Sequence, residues 1–93
     1  MDSELVHYHV IVKGRVQGVS YRAWTRGQAT ELGLLGFVRN LEDGSVEAYL
    51  LGTKPNVDEL LLRMNRGPFL AKVSEVLANP CDAFEANSFE ITR

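Results

Sequence analysis

The first segment of the chain alternates apolar and polar positions with a period of two, which is typical of a β-strand. The even-numbered positions of residues 5–13 form one face, which we predict to be buried. This face carries Val6, Tyr8, Val10 and Val12. His7 and His9 lie on the opposite face. Two histidines without a third ligand are typical of partly exposed strand residues, and we predict no metal site there.

A helical spacing of apolar residues follows. Ser20 is predicted to cap a helix that continues to Leu32, because a serine side chain accepts hydrogen bonds from the free N–H groups at a helix start. One face of this helix is predicted to carry Tyr21, Trp24 or Thr25, Gln28 or Ala29, and Leu32. Gly27 lies inside the helix, where glycine costs about 1 kcal/mol relative to alanine. Close packing against another element would explain this glycine.

The next segment is typical of a β-hairpin. Residues 37–41 and 45–51 flank the turn Glu42-Asp43-Gly44, in which glycine supplies the backbone angle that the turn requires. We predict that Asp43 serves the turn rather than a metal. Val38 and Asn40 share one face of the first hairpin strand, so Asn40 ends an inward-facing row.

A second helix and two more strands complete the pattern. The helix is predicted to begin at Pro55 and to bury one face. This face carries Val57, Leu60, Leu61 and Met64. Residues 71–77 are predicted to form a fourth strand, and residues 89–92 a short closing strand or extended tail, with a loop at 80–87 between them.

The predicted order is strand, helix, strand, strand, helix, strand, without internal repeats. This order is typical of an α+β protein with a ferredoxin-like split βαβ sandwich (βαββαβ). We predict a four- to five-stranded antiparallel sheet with two helices on one face. A chain of 93 residues is long enough for one core, and we expect a single domain. Because this fold hosts enzymes, RNA binders and regulatory modules, it does not choose a function.

The composition is that of an ordinary globular protein, with 45% hydrophobic and 24% charged residues. The apolar runs are too short for a membrane span, and residues 1–4 lack the profile of a signal peptide. Cys81 is the only cysteine, which excludes an internal disulfide and agrees with a reducing compartment. We therefore expect a cytoplasmic protein without a membrane partner, and an unreactive thiol at Cys81.

The formal net charge of −2 argues against a general nucleic-acid binder, and we expect no nucleic-acid partner. The charges are nevertheless uneven, because residues 5–40 contain five basic residues and a single acid, Glu31. The basic residues are Lys13, Arg15, Arg22, Arg26 and Arg39. A fold that gathers the loop ends of this segment would attract an anion there. A solvated face with incidental arginines is the alternative.

The segment between the first predicted strand and helix has the features of a phosphate-binding loop. It reads Gly14-Arg15-Val16-Gln17-Gly18-Val19-Ser20-Tyr21-Arg22. Glycines permit backbone angles that turn successive N–H groups toward one point, and a helix start adds free N–H donors. Arg22 in the first helical turn can bind two phosphate oxygens with its planar guanidinium. The loop is neither a P-loop nor a dinucleotide fingerprint, and a connecting loop that binds nothing is the alternative.

A second motif, Gly36-Phe37-Val38-Arg39-Asn40, opens the predicted hairpin and continues through Gly44 and Val46 to Gly52. With the loop at 14–22, it resembles the two signatures of the acylphosphatases, small hydrolases of acyl phosphates. The resemblance covers nearly the whole chain, and it implies a single acylphosphatase-like domain over residues 1–93 with the fold predicted above.

The resemblance also implies the site. Arg22 would bind the phosphate group and Asn40 would position the attacking water, so these two residues would be catalytic. The phosphate cradle would be the backbone of Arg15, Val16, Gln17, Gly18 and Val19. The substrate would be a small-molecule acyl phosphate, with inorganic phosphate or sulfate as competing anions. We expect a monomer without metal or cofactor, and the sequence contains no Ser/His/Asp set, carboxylate cluster or zinc spacing.

Non-enzymatic functions of the same fold are the alternatives. An anion-sensing or carbamoyl-phosphate-handling module would bind its ligand at the same loop without hydrolysing acyl phosphates. An RNA-recognition domain would carry an Arg/Lys-Gly-aromatic pattern on its third strand, which Ser45-Val46-Glu47-Ala48-Tyr49 lacks. Turnover of an acyl phosphate would separate an enzyme from a sensor.

Overall fold

A computed structural model describes residues 4–93 of the chain. The elements in this part are β1 (Leu5–Arg15), α1 (Tyr21–Glu31), β2 (Leu35–Asn40), β3 (Val46–Thr53), α2 (Lys54–Met64), β4 (Lys72–Pro80) and β5 (Phe89–Ile91). Residues 1–3, part of the segment considered as a signal peptide, lie outside the described residues. None of the helices between residues 4 and 93 has the length and apolar character needed to cross a membrane.

The strands form one sheet in the order β4-β1-β3-β2-β5. β1 pairs antiparallel with β3 and β4, and β2 pairs antiparallel with β3. α1 packs mainly on β2 and β5, whereas α2 packs on β1, β3 and β4. Both helices contribute to the same hydrophobic core. The predicted α+β, ferredoxin-like fold is confirmed.

The last strand differs from the prediction, because the sheet is not wholly antiparallel. β5 pairs in parallel with β2, with Ile91 opposite Val38. β4 and β5 lie at opposite edges, so residues 81–88 cross the whole sheet between them. After this crossing β5 runs antiparallel to β4 and therefore in the same direction as β2. β4 also continues to Pro80 instead of ending at Leu77, because its ladder with β1 extends that far. Proline is tolerated there because β4 is an edge strand.

The core confirms the alternation predicted for the first strand. Val10 and Val12 are fully buried, and Val6 and Tyr8 pack at the margin of the core. The helices bury residues at helical spacing, which are Tyr21, Thr25 and Ala29 from α1 and Val57, Leu60 and Met64 from α2. Burial of these apolar stripes sets both helices against one face of the sheet.

Ser20 occupies the N-cap position of α1, but the predicted side-chain cap is wrong. Its backbone is left-handed, with a φ of 65°, and its side chain makes no capping hydrogen bond. A capping serine has an extended backbone that directs the hydroxyl toward the first-turn N–H groups, and the left-handed conformation does not. The carbonyl of Ser20 accepts from the N–H of Trp24 at 3.0 Å, but the N–H groups of the first turn receive no acceptor from its side chain.

The sheet face opposite the helices carries a buried carboxylate. Arg39 Nε donates to Glu47 Oε1 at 2.6 Å, and His9 Nε2 lies 2.7 Å from Glu47 Oε2. Burial opposes the ionisation of Glu47, but the hydrogen bonds with His9 and Arg39 outweigh it and hold its pKa below the usual value. Because Arg39 is engaged on this face, the five basic residues of segment 5–40 do not converge on one anion site.

The crossing segment 81–88 covers part of this face. Phe84 packs edge-on against His7, with the ring centroids 5.0 Å apart. The N–H of Cys81 donates to the carbonyl of His7 at 2.9 Å. Burial and the nearby charge of Asp82 raise the pKa of the Cys81 thiol, which lowers the fraction of reactive thiolate at neutral pH. Across residues 4–93, no group of three or more His, Cys, Asp or Glu side chains is placed to hold a metal ion.

Replacing Gly27 by alanine is expected to stabilise the protein. Gly27 is exposed, and a Cβ added there would meet no heavy atom within 4 Å, so close packing does not explain this glycine. Removing a flexible residue from a helix interior should raise the free energy of unfolding by about 0.5–1 kcal/mol, which urea denaturation would measure.

Gly36→Ala is the contrasting variant. Gly36 has a φ of 140°, and a Cβ there would lie 1.8 Å from the carbonyl oxygen of Tyr49. This variant should lose stability. A Gly27→Ala protein that unfolds at the same or a lower urea concentration than the wild type would contradict the helix-propensity argument.

Candidate active site

A cavity of about 360 Å³ lies where the loop after β1, the first turn of α1 and the end of β2 meet. It is lined by Val16, Gly18 and Ser20 from the loop, Tyr21, Arg22 and Ala23 from α1, Asn40 from β2 and Ile91 from β5. Arg22 and Asn40, the two side chains singled out from the sequence, therefore line the same cavity.

Two buried valines anchor the loop after β1. Val16 and Val19 are only 1% and 8% exposed and belong to the hydrophobic core. Gly18 lies between them with a φ of 76°, a backbone conformation that favours glycine. A Cβ added at Gly18 would face open space, because no heavy atom lies within 4 Å of it. The loop thus has fixed ends and an accessible backbone beside the cavity.

Arg22 brings a positive charge to the start of α1. No carboxylate within residues 4–93 forms an ion pair with its guanidinium. A cation is unfavourable at a helix N-terminus, because the helix dipole already places partial positive charge there. An anion in the cavity would interact favourably with both the guanidinium and the helix end.

Asn40 ends β2 and presents an unpaired acceptor. Its Oδ1 is buried and has no hydrogen-bond partner among residues 4–93. Leaving a buried acceptor unpaired costs about 1–3 kcal/mol, and such groups are uncommon in folded proteins. The cost is explained if a ligand or a water molecule in the cavity completes the hydrogen bond.

Tyr21 fixes the wall beside Arg22. Its hydroxyl donates to the carbonyl of Met64 at 2.7 Å, which ties the start of α1 to the end of α2. Burial raises the pKa of this hydroxyl, so the phenol stays neutral and acts as a hydrogen-bond donor. Tyr21 is 1% exposed and belongs to the hydrophobic core, so the core supports this part of the cavity wall.

The other residues predicted for the cradle do not line the cavity. Arg15 ends β1, where it is paired with Lys72 of β4, and the side chain of Val19 points into the core. The side chain of Gln17 instead donates to two carbonyls of the β2–β3 turn, those of Leu41 and Ser45, both at 2.8 Å. For Gln17 and Val19, whose side chains are engaged elsewhere, only the backbone N–H groups are candidates for contact with a ligand.

Sequence reasoning missed part of the lining. Tyr21 and Ala23 flank Arg22 and Ser20 is the N-cap residue of α1, so their place at the start of the helix was a usable signal. Ile91 had no such signal, because its position depends on the parallel pairing of β5 with β2.

Asp43 belongs to the turn as predicted. Its Oδ1 accepts from the N–H of Ser45 at 2.9 Å, and hydrogen bonds from Ser45 lower its pKa.

The fold and the cavity define a ferredoxin-like α+β domain in which an arginine without an ion-pair partner among residues 4–93 lines a small pocket. A family model for acylphosphatase matches residues 8–91. The chain is 48% identical over 88 residues to an acylphosphatase of Alcanivorax borkumensis, covering 90% of this chain and 96% of that protein. It is 42% identical over 93 residues to an acylphosphatase of Acaryochloris marina, and the match covers 100% of both chains.

Solved structures agree with these relatives. The structure of an acylphosphatase from Coxiella burnetii superposes with a TM-score of 0.92 at 34% identity, covering 95% of this chain and 93% of that one. The chain therefore belongs to the acylphosphatase family. The resemblance drawn from its two motifs and the predicted enzyme class are confirmed.

Proposed function

We propose that this protein hydrolyses acyl phosphates to a carboxylate and inorganic phosphate without a metal ion. In this proposal the backbone N–H groups of residues 15–19 and the Arg22 guanidinium bind the phosphate, and Asn40 orients the attacking water. The observation that supports it best is that Arg22 and Asn40 line one cavity beside the accessible backbone of Gly18. Membership of the acylphosphatase family supplies the substrate class.

The cavity suits charge stabilisation at phosphorus. An acyl phosphate is a mixed anhydride with a good leaving group, so binding and positioning can supply much of the catalysis. In phosphoryl transfer the negative charge lies on the three equatorial oxygens. Main-chain N–H groups and the planar guanidinium of Arg22 would hold these oxygens, and the absence of a competing carboxylate at Arg22 within residues 4–93 leaves it available.

Asn40 would direct the nucleophile. Its unpaired Oδ1 can accept a hydrogen bond from a water molecule placed in line with the leaving group. A neutral amide takes no proton, so the water proton would pass to an oxygen of the substrate's own phosphate. Attack then forms a P–O bond to the water oxygen and breaks the bond between phosphorus and the carboxylate oxygen.

We propose that residues 1–93 act as one monomeric domain in the cytoplasm, with a phosphate-binding loop that needs no cofactor. Inorganic phosphate and sulfate would compete with the substrate because they present the same tetrahedral oxygens to Arg22 and the loop. No nucleic-acid or membrane partner is part of this proposal.

A turnover assay tests the proposal. Purified protein is expected to hydrolyse benzoyl phosphate in the presence of EDTA, with competitive inhibition by inorganic phosphate. Binding of phosphate without turnover would identify an anion sensor instead. Binding of carbamoyl phosphate without turnover of either compound would favour a carbamoyl-phosphate-handling module. Loss of turnover in EDTA that added Mg²⁺ restores would disprove the metal-free mechanism.

A further inference from the structure

The side chain of Gln17 leaves the cradle and bridges it to the β2–β3 turn. Its Nε2 donates to the carbonyl oxygens of Leu41 and Ser45, both at 2.8 Å. Both hydrogens of one amide nitrogen are thus used on a segment more than twenty residues away in the chain. Two hydrogen bonds from one nitrogen fix both the distance and the orientation of the Gln17 amide relative to the turn. Gln17 is half-buried, which partly shields these bonds from solvent.

The turn that receives Gln17 is ordered by its own hydrogen bonds. The N–H of Leu41 donates to the carbonyl of Ser45 at 2.9 Å, and the N–H of Gly44 donates to the carbonyl of Leu41 at 3.2 Å. Each of the two carbonyls therefore accepts one bond from the turn and one from Gln17. The turn keeps its shape through its own bonds and through the pairing of Asn40 with Val46, and the bonds from Gln17 link it directly to the cradle.

Asn40 depends on the placement of this turn. It immediately precedes Leu41, and its Oδ1 has no partner within residues 4–93 that would orient the amide. The backbone at the end of β2 is then the main determinant of where the amide points. We propose that Gln17 is a positioning residue that fixes the Asn40 amide relative to bound phosphate. This inference rests on the function proposed above.

The cradle itself does not need this contact. Val16 and Val19 hold the loop through their burial in the core, and Arg22 is held by α1. Loss of the two hydrogen bonds from Gln17 should therefore shift the Asn40 amide and leave the phosphate site intact. A misplacement of about 1 Å in a reacting geometry can cost about 100-fold in rate.

Gln17→Met tests the inference, because methionine has a similar length and no N–H donors. We expect kcat for benzoyl phosphate to fall about 10- to 100-fold. KM and the inhibition constant for inorganic phosphate should stay within about twofold, because they report binding of the substrate's phosphate group. Gln28→Met is the matched control. Gln28 lies on α1 away from the cavity, where its amide oxygen accepts a hydrogen bond from Arg63, and its replacement should leave kcat unchanged.

The outcomes separate the two proposals. A wild-type protein that binds phosphate but does not turn over benzoyl phosphate refutes the proposed function and this inference with it. An active wild type with an unchanged kcat in Gln17→Met refutes the inference alone. So does an equal loss of kcat and phosphate affinity, because Gln17 would then shape the cradle. If Gln17→Met does not fold, Gln17→Leu carries the same test, since its side chain also lacks N–H donors and adds no charge beside the cradle.

Discussion

Replacing Arg22 by lysine is expected to lower kcat/KM for benzoyl phosphate by about 100- to 1,000-fold, the cost of losing one preorganised donor to a charged transition state. Lysine keeps the charge but loses the planar pair of N–H groups that can bind two phosphate oxygens at once. Because Arg22 has no carboxylate partner within residues 4–93, the substitution breaks no ion pair there and should leave the fold intact. Steady-state kinetics together with thermal unfolding would measure both effects.

Arg26→Lys provides the matched control. Arg26 lies on α1, is exposed, and does not line the cavity, so the same chemical change should leave kcat/KM within about twofold of the wild type. Inhibition by inorganic phosphate should weaken only in Arg22→Lys. Retention of normal turnover by Arg22→Lys would remove the guanidinium from the proposed phosphate site.

Asn40→Ala should lower kcat by about 100-fold while KM and inhibition by phosphate change little. The reason is that the amide would act on the water and not on the phosphate. Stability should hold, because Asn40 Oδ1 makes no hydrogen bond within residues 4–93 that alanine would remove. Removing the Asn40 amide would also remove the cost of an unpaired buried acceptor.

Comparison with Arg22→Lys makes this prediction specific. The two variants should differ in phosphate inhibition, which weakens when Arg22 changes and persists when Asn40 changes. If Asn40→Ala lost phosphate affinity and turnover to the same degree, Asn40 would belong to the phosphate-binding group. The water would then need another residue to orient it.

Most of the fold could be predicted because short-range patterns determine it. Alternation at Val10 and Val12 defined the first strand, and helical spacing from Val57 to Met64 defined α2. The parallel pairing of β5 could not be predicted in this way. A strand of three residues, Phe89–Ile91, carries too little pattern to specify a partner, and the partner depends on a crossing of the whole sheet.

The candidate site, like the fold, could be predicted only in part. Motifs singled out Arg22 and Asn40, which line one cavity, and the antiparallel register of β2 and β3 explains why Asn40 ends an inward row. The bridge from Gln17 to the turn could not be predicted, because a glutamine side chain has many rotamers and the turn carbonyls are distant in the chain. The left-handed backbone at Ser20 also overrides the usual capping preference of serine.

The cavity draws one wall from Val16 near the start of the chain and another from Ile91 near its end. During synthesis on the ribosome the N-terminal elements emerge first. A partly translated chain can therefore present the arginine and the asparagine while the pocket around them is still open along the outer side of β2. The lining of the pocket is complete only after β5 has emerged and paired with β2.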